Sequence, residues 1–200
     1  MVLPNHQTKF PMINQKGQFW CIPACIESMI KYLGITNLTQ EEMVLDYCKK
    51  YGNNALVKYQ GNQRIKIPID GLNDVQLIQL AYNSALCNAS FFNFKDIIEN
   101  RTRGTGLIIE FKDGIKDATE YLGLIRNYMF IGQPVLIAST NPNGSSHIRV
   151  VLEDKTDSLV LFDPALKEEN VKEIRITDIK FNHDLLTAKR TQKKKKKKIE

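Results

Sequence analysis

From Ile22 onward, apolar residues recur at i, i+3 and i+4: Ile22, Cys25, Ile26, Met29, Ile30 and Leu33. That period predicts a helix with a buried face, and Gly34 is placed to end it. Pro23 falls in the first turn, where its missing N–H would have had no helical partner. Thr39-Gln-Glu-Glu42 is a capping-box pattern that predicts a second helix to about Lys50. Residues 53–70 are polar, with a short strand expected around Arg64 to Ile67. Asn73 or Asp74 caps a predicted helix from Val75 to about Cys87, and a weaker helix pattern covers Phe94 to Asn100. Thr105 to Phe111 reads as a strand, and Lys116 to Ile131 as an amphipathic helix ending at Gly132.

The last third changes character. Pro134–Ser139, His147–Leu152, Ser158–Phe162 and Val171–Ile176 are rich in Val, Ile and Leu. Asn141-Pro-Asn-Gly144 and Asp154-Lys-Thr-Asp157 punctuate the first three as turns. Helices followed by consecutive strands indicate an α+β fold with an antiparallel sheet. The expected layout is a helical half over about 15–130 and a sheet half over about 131–180, within one domain spanning 1–188. Residues 189–200 read as a basic, disordered tail.

Composition supports a single soluble domain, since 200 residues with 42% hydrophobic content can bury a core of ordinary size. No apolar run approaches membrane-spanning length. Met1-Val-Leu-Pro-Asn-His lacks a basic segment leading into an apolar one, which favours a cytoplasmic location. The net charge of +6 comes mostly from Lys193 to Lys198; without the last eight residues, 22 basic residues face 21 acidic ones. So balanced a body carries no footprint for specific nucleic-acid binding, although the lysine run can touch anionic surfaces nonspecifically. Cys21, Cys25, Cys48 and Cys87 are too few for a disulfide scaffold. Cys21 and Cys25 stand one turn apart, but no second Cys or His pair at ligand spacing joins them, so neither a metal nor another cofactor is expected.

The candidate chemistry gathers at four positions. Cys21 opens a helix, where unpaired N–H groups and the helix dipole favour an anion, and a thiolate is the species that attacks a carbonyl. Gln15, six residues earlier, can donate its side-chain amide to a developing oxyanion beside the Cys21 N–H; Gln18 is too close to curl back easily. His147 begins an apolar strand and can serve as base, then acid, whereas His6 and His183 lie in polar, irregular settings. Asp163 closes the next strand. With a hairpin index sum near 310 it lies beside His147, where it can accept Nδ1–H and leave Nε2 to face sulfur. Each residue also has a bland reading: a packed helix-start cysteine, a loop glutamine, a half-exposed strand histidine, a turn-forming Asp-Pro.

The segment Gln15 to Gly34 resembles the active-site helix of papain-like cysteine proteases. It is closer still to the branch containing the bacterial double-glycine leader (bacteriocin-processing) peptidases and related stand-alone proteins. Gly132-Gln-Pro-Val-Leu-Ile-Ala-Ser, Ser146-His-Ile-Arg-Val-Val and Leu-Phe-Asp-Pro164 are similar to the same branch's strand, histidine and Asp-Pro pattern. The resemblance covers roughly residues 10–34 and 130–166. It implies a papain-like fold and a thiol peptidase acting on a protein or peptide, with Cys21 as nucleophile, His147 as base and acid, Asp163 as orienter and Gln15 in the oxyanion hole. Ile22 departs from it, standing where glycine is usual, and part of 52–115 reads as an insertion that shapes the cleft. The same residues would serve a transamidase or deamidase; a third reading is a binding module on an inactive papain-like scaffold.

Overall fold

An uncapped helix start sets the frame. In the computed structural model, which describes residues 10–140 and 146–191 apart from the side chain of His183, Cys21–Tyr32 forms helix α1. Every residue from Ile22 to Ile30 is buried, so α1 is enclosed all round rather than on the single face that the apolar spacing predicts. Two of the enclosed residues, Glu27 and Ser28, are polar. Glu27 takes Lys31 Nζ at 2.7 Å and Gln40 Nε2 at 3.0 Å, and Ser28 Oγ accepts the Ile13 N–H at 3.1 Å. Gln40 also accepts the Lys16 N–H at 3.0 Å and donates to the Asn14 carbonyl at 3.1 Å. The polar back of α1 thus holds the extended lead-in.

Helix α2, Gln40–Tyr51, starts at the expected Thr39–Glu42 capping box. Strands β1 (Leu56–Gln60) and β2 (Gln63–Lys66) then form a hairpin; β1 went unnoticed in a stretch read as polar. Helix α3 covers Asp74–Tyr82 and is capped by Asn73. It stops short of the expected Cys87 because Ala85–Leu86, strand β3, pairs with Val57 and Leu56 instead. The result is a three-stranded sheet of order β2-β1-β3. Helix α4, Phe91–Arg101, begins at a Ser90 cap, three residues earlier than its apolar pattern suggested.

The larger sheet has six antiparallel strands: β4 (Leu107–Lys112), β5 (Val135–Thr140), β6 (Ser146–Asp154), β7 (Ser158–Phe162), β8 (Val171–Arg175) and β9 (Lys180–Arg190). Their order is β4-β9-β5-β6-β7-β8. Helix α5, Ala118–Phe130, precedes β5 and packs on the sheet, where Tyr121 stacks on Phe181 at 4.6 Å between ring centroids. The unforeseen strand is β9, which lies between β4 and β5 and buries Leu185 to Ala188 in succession. A strand covered on both faces loses the alternation that reveals half-buried strands. It carries Lys189, paired with Glu110 at 2.7 Å, and Arg190, which donates to the Leu33 and Gly34 carbonyls at the end of α1. Strand β9 therefore runs past residue 188; the lysine run and the turn expected over Asn141 to Gly144 lie outside the described residues. One continuous apolar core joins the helices to the six-stranded sheet. Among the described residues, no helix is long and apolar enough to cross a membrane.

Trp20, fully buried, fixes the approach to α1. Its Nε1 donates to the Ala81 carbonyl at 3.1 Å, and its ring stacks on Tyr82. Gly17 lies against that indole so closely that a Cβ would fall 2.5 Å from ring atoms. Gly17→Ala is therefore expected to overpack the turn and lower stability by about 1–3 kcal/mol in urea unfolding. An unchanged midpoint would show that the Trp20 contact is not tight.

Candidate active site

The α1 N-terminus has no side-chain cap: Trp20 occupies the cap position and offers none. First-turn N–H groups are left without the partner that Ser, Thr or Asp would supply, which suits an anionic sulfur or oxygen there. Cys21 sits in that first turn, half-buried, at the floor of a cleft of about 360 Å³. Cys25, one turn on, is fully buried; its thiol donates to the Ile148 carbonyl at 3.5 Å, and burial pushes it well above the ordinary thiol range. Of the pair, only Cys21 opens on the cleft.

His147 comes from β6 and Asp163 from the end of β7. The expected constant hairpin sum near 310 does not hold. Val150 pairs with Phe162 and Val151 with Leu161, and a bulge then shifts the register so that Glu153 meets Val160. Asp163 consequently lies opposite Arg149 and reaches His147 diagonally. Its Oδ1 is 2.6 Å from His147 Nε2, and its Oδ2 takes Arg149 Nε at 3.0 Å. The ring is thus turned the other way from the sequence-based expectation: Nε2 meets the carboxylate. Nδ1 is the nitrogen left for Cys21, which lines the same cleft. Diagonal reach across the hairpin selects the far ring nitrogen for the carboxylate.

Electrostatics follow from these contacts. Burial disfavours the imidazolium, but hydrogen bonds to Asp163 and Cys21, with their charges, outweigh it and raise His147 from 6.5 to about 9. Burial likewise works against the Asp163 carboxylate, yet His147, the Ala165 N–H and Arg149 together hold it below the usual range. Arg149 is the residue that sequence reasoning missed. Its other arm donates to Ser139 Oγ at 2.6 Å, fixing the guanidinium against β5. The signal was present as an arginine two residues after the histidine, on the same strand face.

Gln15 and Gln18 both border the cleft. Gln15 Nε2 donates one hydrogen to the Gln18 carbonyl at 2.8 Å, while its buried Oε1 has no partner among the described residues. An orphaned buried acceptor costs about 1–3 kcal/mol, a cost expected where an amide is held for another purpose. The Gln15 N–H donates to the Pro164 carbonyl at 2.8 Å, tying the glutamine to the strand end that carries Asp163. Tyr59, Leu86, Ala89 and Phe91, all from the 52–115 segment, form part of the cleft wall.

Linkage gives this site a signature in stability. Because the folded state raises His147, its imidazolium stabilises the fold fully below pH 6.5, and that contribution is lost as pH rises through about 9. Urea midpoints measured across that window should fall for the natural protein and flatten in His147→Ala. Parallel slopes in the two proteins would show that His147 does not bind its proton this way.

No family model and no curated protein matches the sequence. Solved structures do match in fold. A protein from Bacillus anthracis described as a C39-like peptidase aligns with a TM-score of 0.58 at 13% identity, covering 96% of this chain and 98% of its own. The peptidase domain of Streptococcus ComA, a bifunctional ABC transporter involved in a quorum-sensing pathway, aligns with a TM-score of 0.54 at 11% identity, covering 91% and 99%. The chain therefore has the papain-like α+β fold of C39-type peptidases.

Proposed function

We propose that this chain is a cysteine peptidase that hydrolyses a peptide or isopeptide bond in a protein or peptide substrate. The observation that carries the reading is His147, held by Asp163 on Nε2, bordering the same cleft as the helix-start thiol of Cys21. The Cys21 proton rests on His147 Nδ1, and Sγ attacks the carbonyl carbon as the thiolate while the carbonyl electron pair moves to oxygen. The Cys21 N–H and the second Gln15 Nε2 hydrogen face that oxygen. Collapse breaks the C–N bond, Nδ1–H gives its proton to the departing amine, and a thioester remains on Cys21. Water then attacks the thioester as Nδ1 removes its proton, and collapse releases the acid and restores the thiolate beside the imidazolium. Asp163 keeps Nε2 occupied throughout, held ionised by His147 first and then by the Ala165 N–H and Arg149.

Cys21→Ala should abolish peptide cleavage and remove the site modified by iodoacetamide near neutral pH, read by peptide mass mapping. Equal labelling in that variant would place the reactive thiol elsewhere and sink the proposal. Gln15→Ala should lower kcat by roughly 10²–10³, the usual effect of losing one oxyanion donor, while Cys21 still alkylates at its former rate. A matching loss of alkylation would mean that Gln15 supports the fold of the helix start instead.

A further inference from the structure

A second cavity, of about 430 Å³, is lined by residues of β6, β7 and β8 and of the loop after β7, and shares His147 and Ala165 with the cleft. It is not accounted for by the acyl-transfer chemistry, yet His147 and Asp163 line it. Leu161, Leu166 and Ile174 give it apolar sides. The register sets Leu161 between Val151 of β6 and Lys172 of β8, so Lys172 shares that face. Its charges do not cancel. Asp163 is engaged by Arg149, which leaves Lys172 and, when protonated, His147. Lys172 is exposed and has no ion-pair partner among the described residues, whereas Glu173 beside it is taken by Lys155 at 2.5 Å.

Reaction geometry says which part of a substrate passes here. The departing amine receives its proton from His147, so the chain on the amine side of the broken bond runs past the imidazole. A cavity that opens at His147 is reached from that side. We propose that this cavity is a leaving-group subsite that selects an acidic side chain, glutamate above aspartate, within the first few residues after the cleaved bond. The methylenes of glutamate match the Leu161 and Ile174 walls, and its carboxylate meets Lys172. The inference rests on the peptidase reading and names the substrate chemistry of that same site.

The test is digestion of a peptide mixture varied on both sides of each bond, with products sequenced by mass spectrometry. The natural protein should favour Glu and Asp over Lys and Arg on the amine side by about three- to fivefold, the range of a partly exposed ion pair. Lys172→Glu should reverse that ratio, and about 1 M salt should flatten it. A ratio taken within one variant is insensitive to how much of that variant folds. Cleavage without charge preference on the amine side, or with the same preference in Lys172→Glu, overturns the subsite and leaves the peptidase standing. An uncut mixture with no acyl adduct on Cys21 overturns both.

Discussion

Helix α1 is enclosed on every side, and this constraint governs the rest. Enclosure brings Glu27 and Ser28 inside, and buried polar groups must find partners. Breaking a buried pair of this kind typically costs about 3–5 kcal/mol, a large share of a domain's whole stability. The partners are Lys31, Gln40 and the backbone of residues 13–16, so satisfying the helix interior also lays the lead-in along it. The same helix that presents Cys21 therefore fixes the lead-in that presents Gln15. Trp20 and Gly17 complete the arrangement by locking the turn between them.

On the sheet side, one carboxylate organises the chemistry. Asp163 gives one oxygen to an imidazole and the other to a guanidinium, and each contact favours its ionised form. Its placement depends on the β6–β7 register, which a bulge resets near Val151. A one-residue slip would turn His147 to the opposite face and dissolve the arrangement. The antiparallel sheet thus serves as a ruler for the distance between the His147 imidazole and the Asp163 carboxylate. The wall supplied by Tyr59 and Leu86 bounds the cleft from the other half of the molecule.

Much of this was legible in the chain, and the gaps have physical causes. Local signals carried α1, α2 and the β6–β7 hairpin, because capping boxes, turn residues and apolar period act over a few positions. The four candidate residues surfaced because each side chain has a distinctive chemistry and an element-end position. Strand β9 stayed hidden because its buried core, Leu185 to Ala188, shows no alternation and includes Thr187, whose hydroxyl is satisfied by the Pro134 carbonyl. Helix α3 was overestimated because pairing of Leu86 with Leu56 is nonlocal and overrides helical preference. The imidazole's orientation was misjudged for a related reason. Which nitrogen meets the carboxylate depends on a diagonal contact across a bulged hairpin, and no residue spacing records that.

The bond from the Gln15 N–H to the Pro164 carbonyl joins the lead-in of the helical half to the strand end of the sheet half. Any breathing of the groove must then pivot about this stitch rather than part it. The Gln15 amide and the Asp163 carboxylate would ride together, so the groove can widen along its other walls while this edge keeps its dimensions.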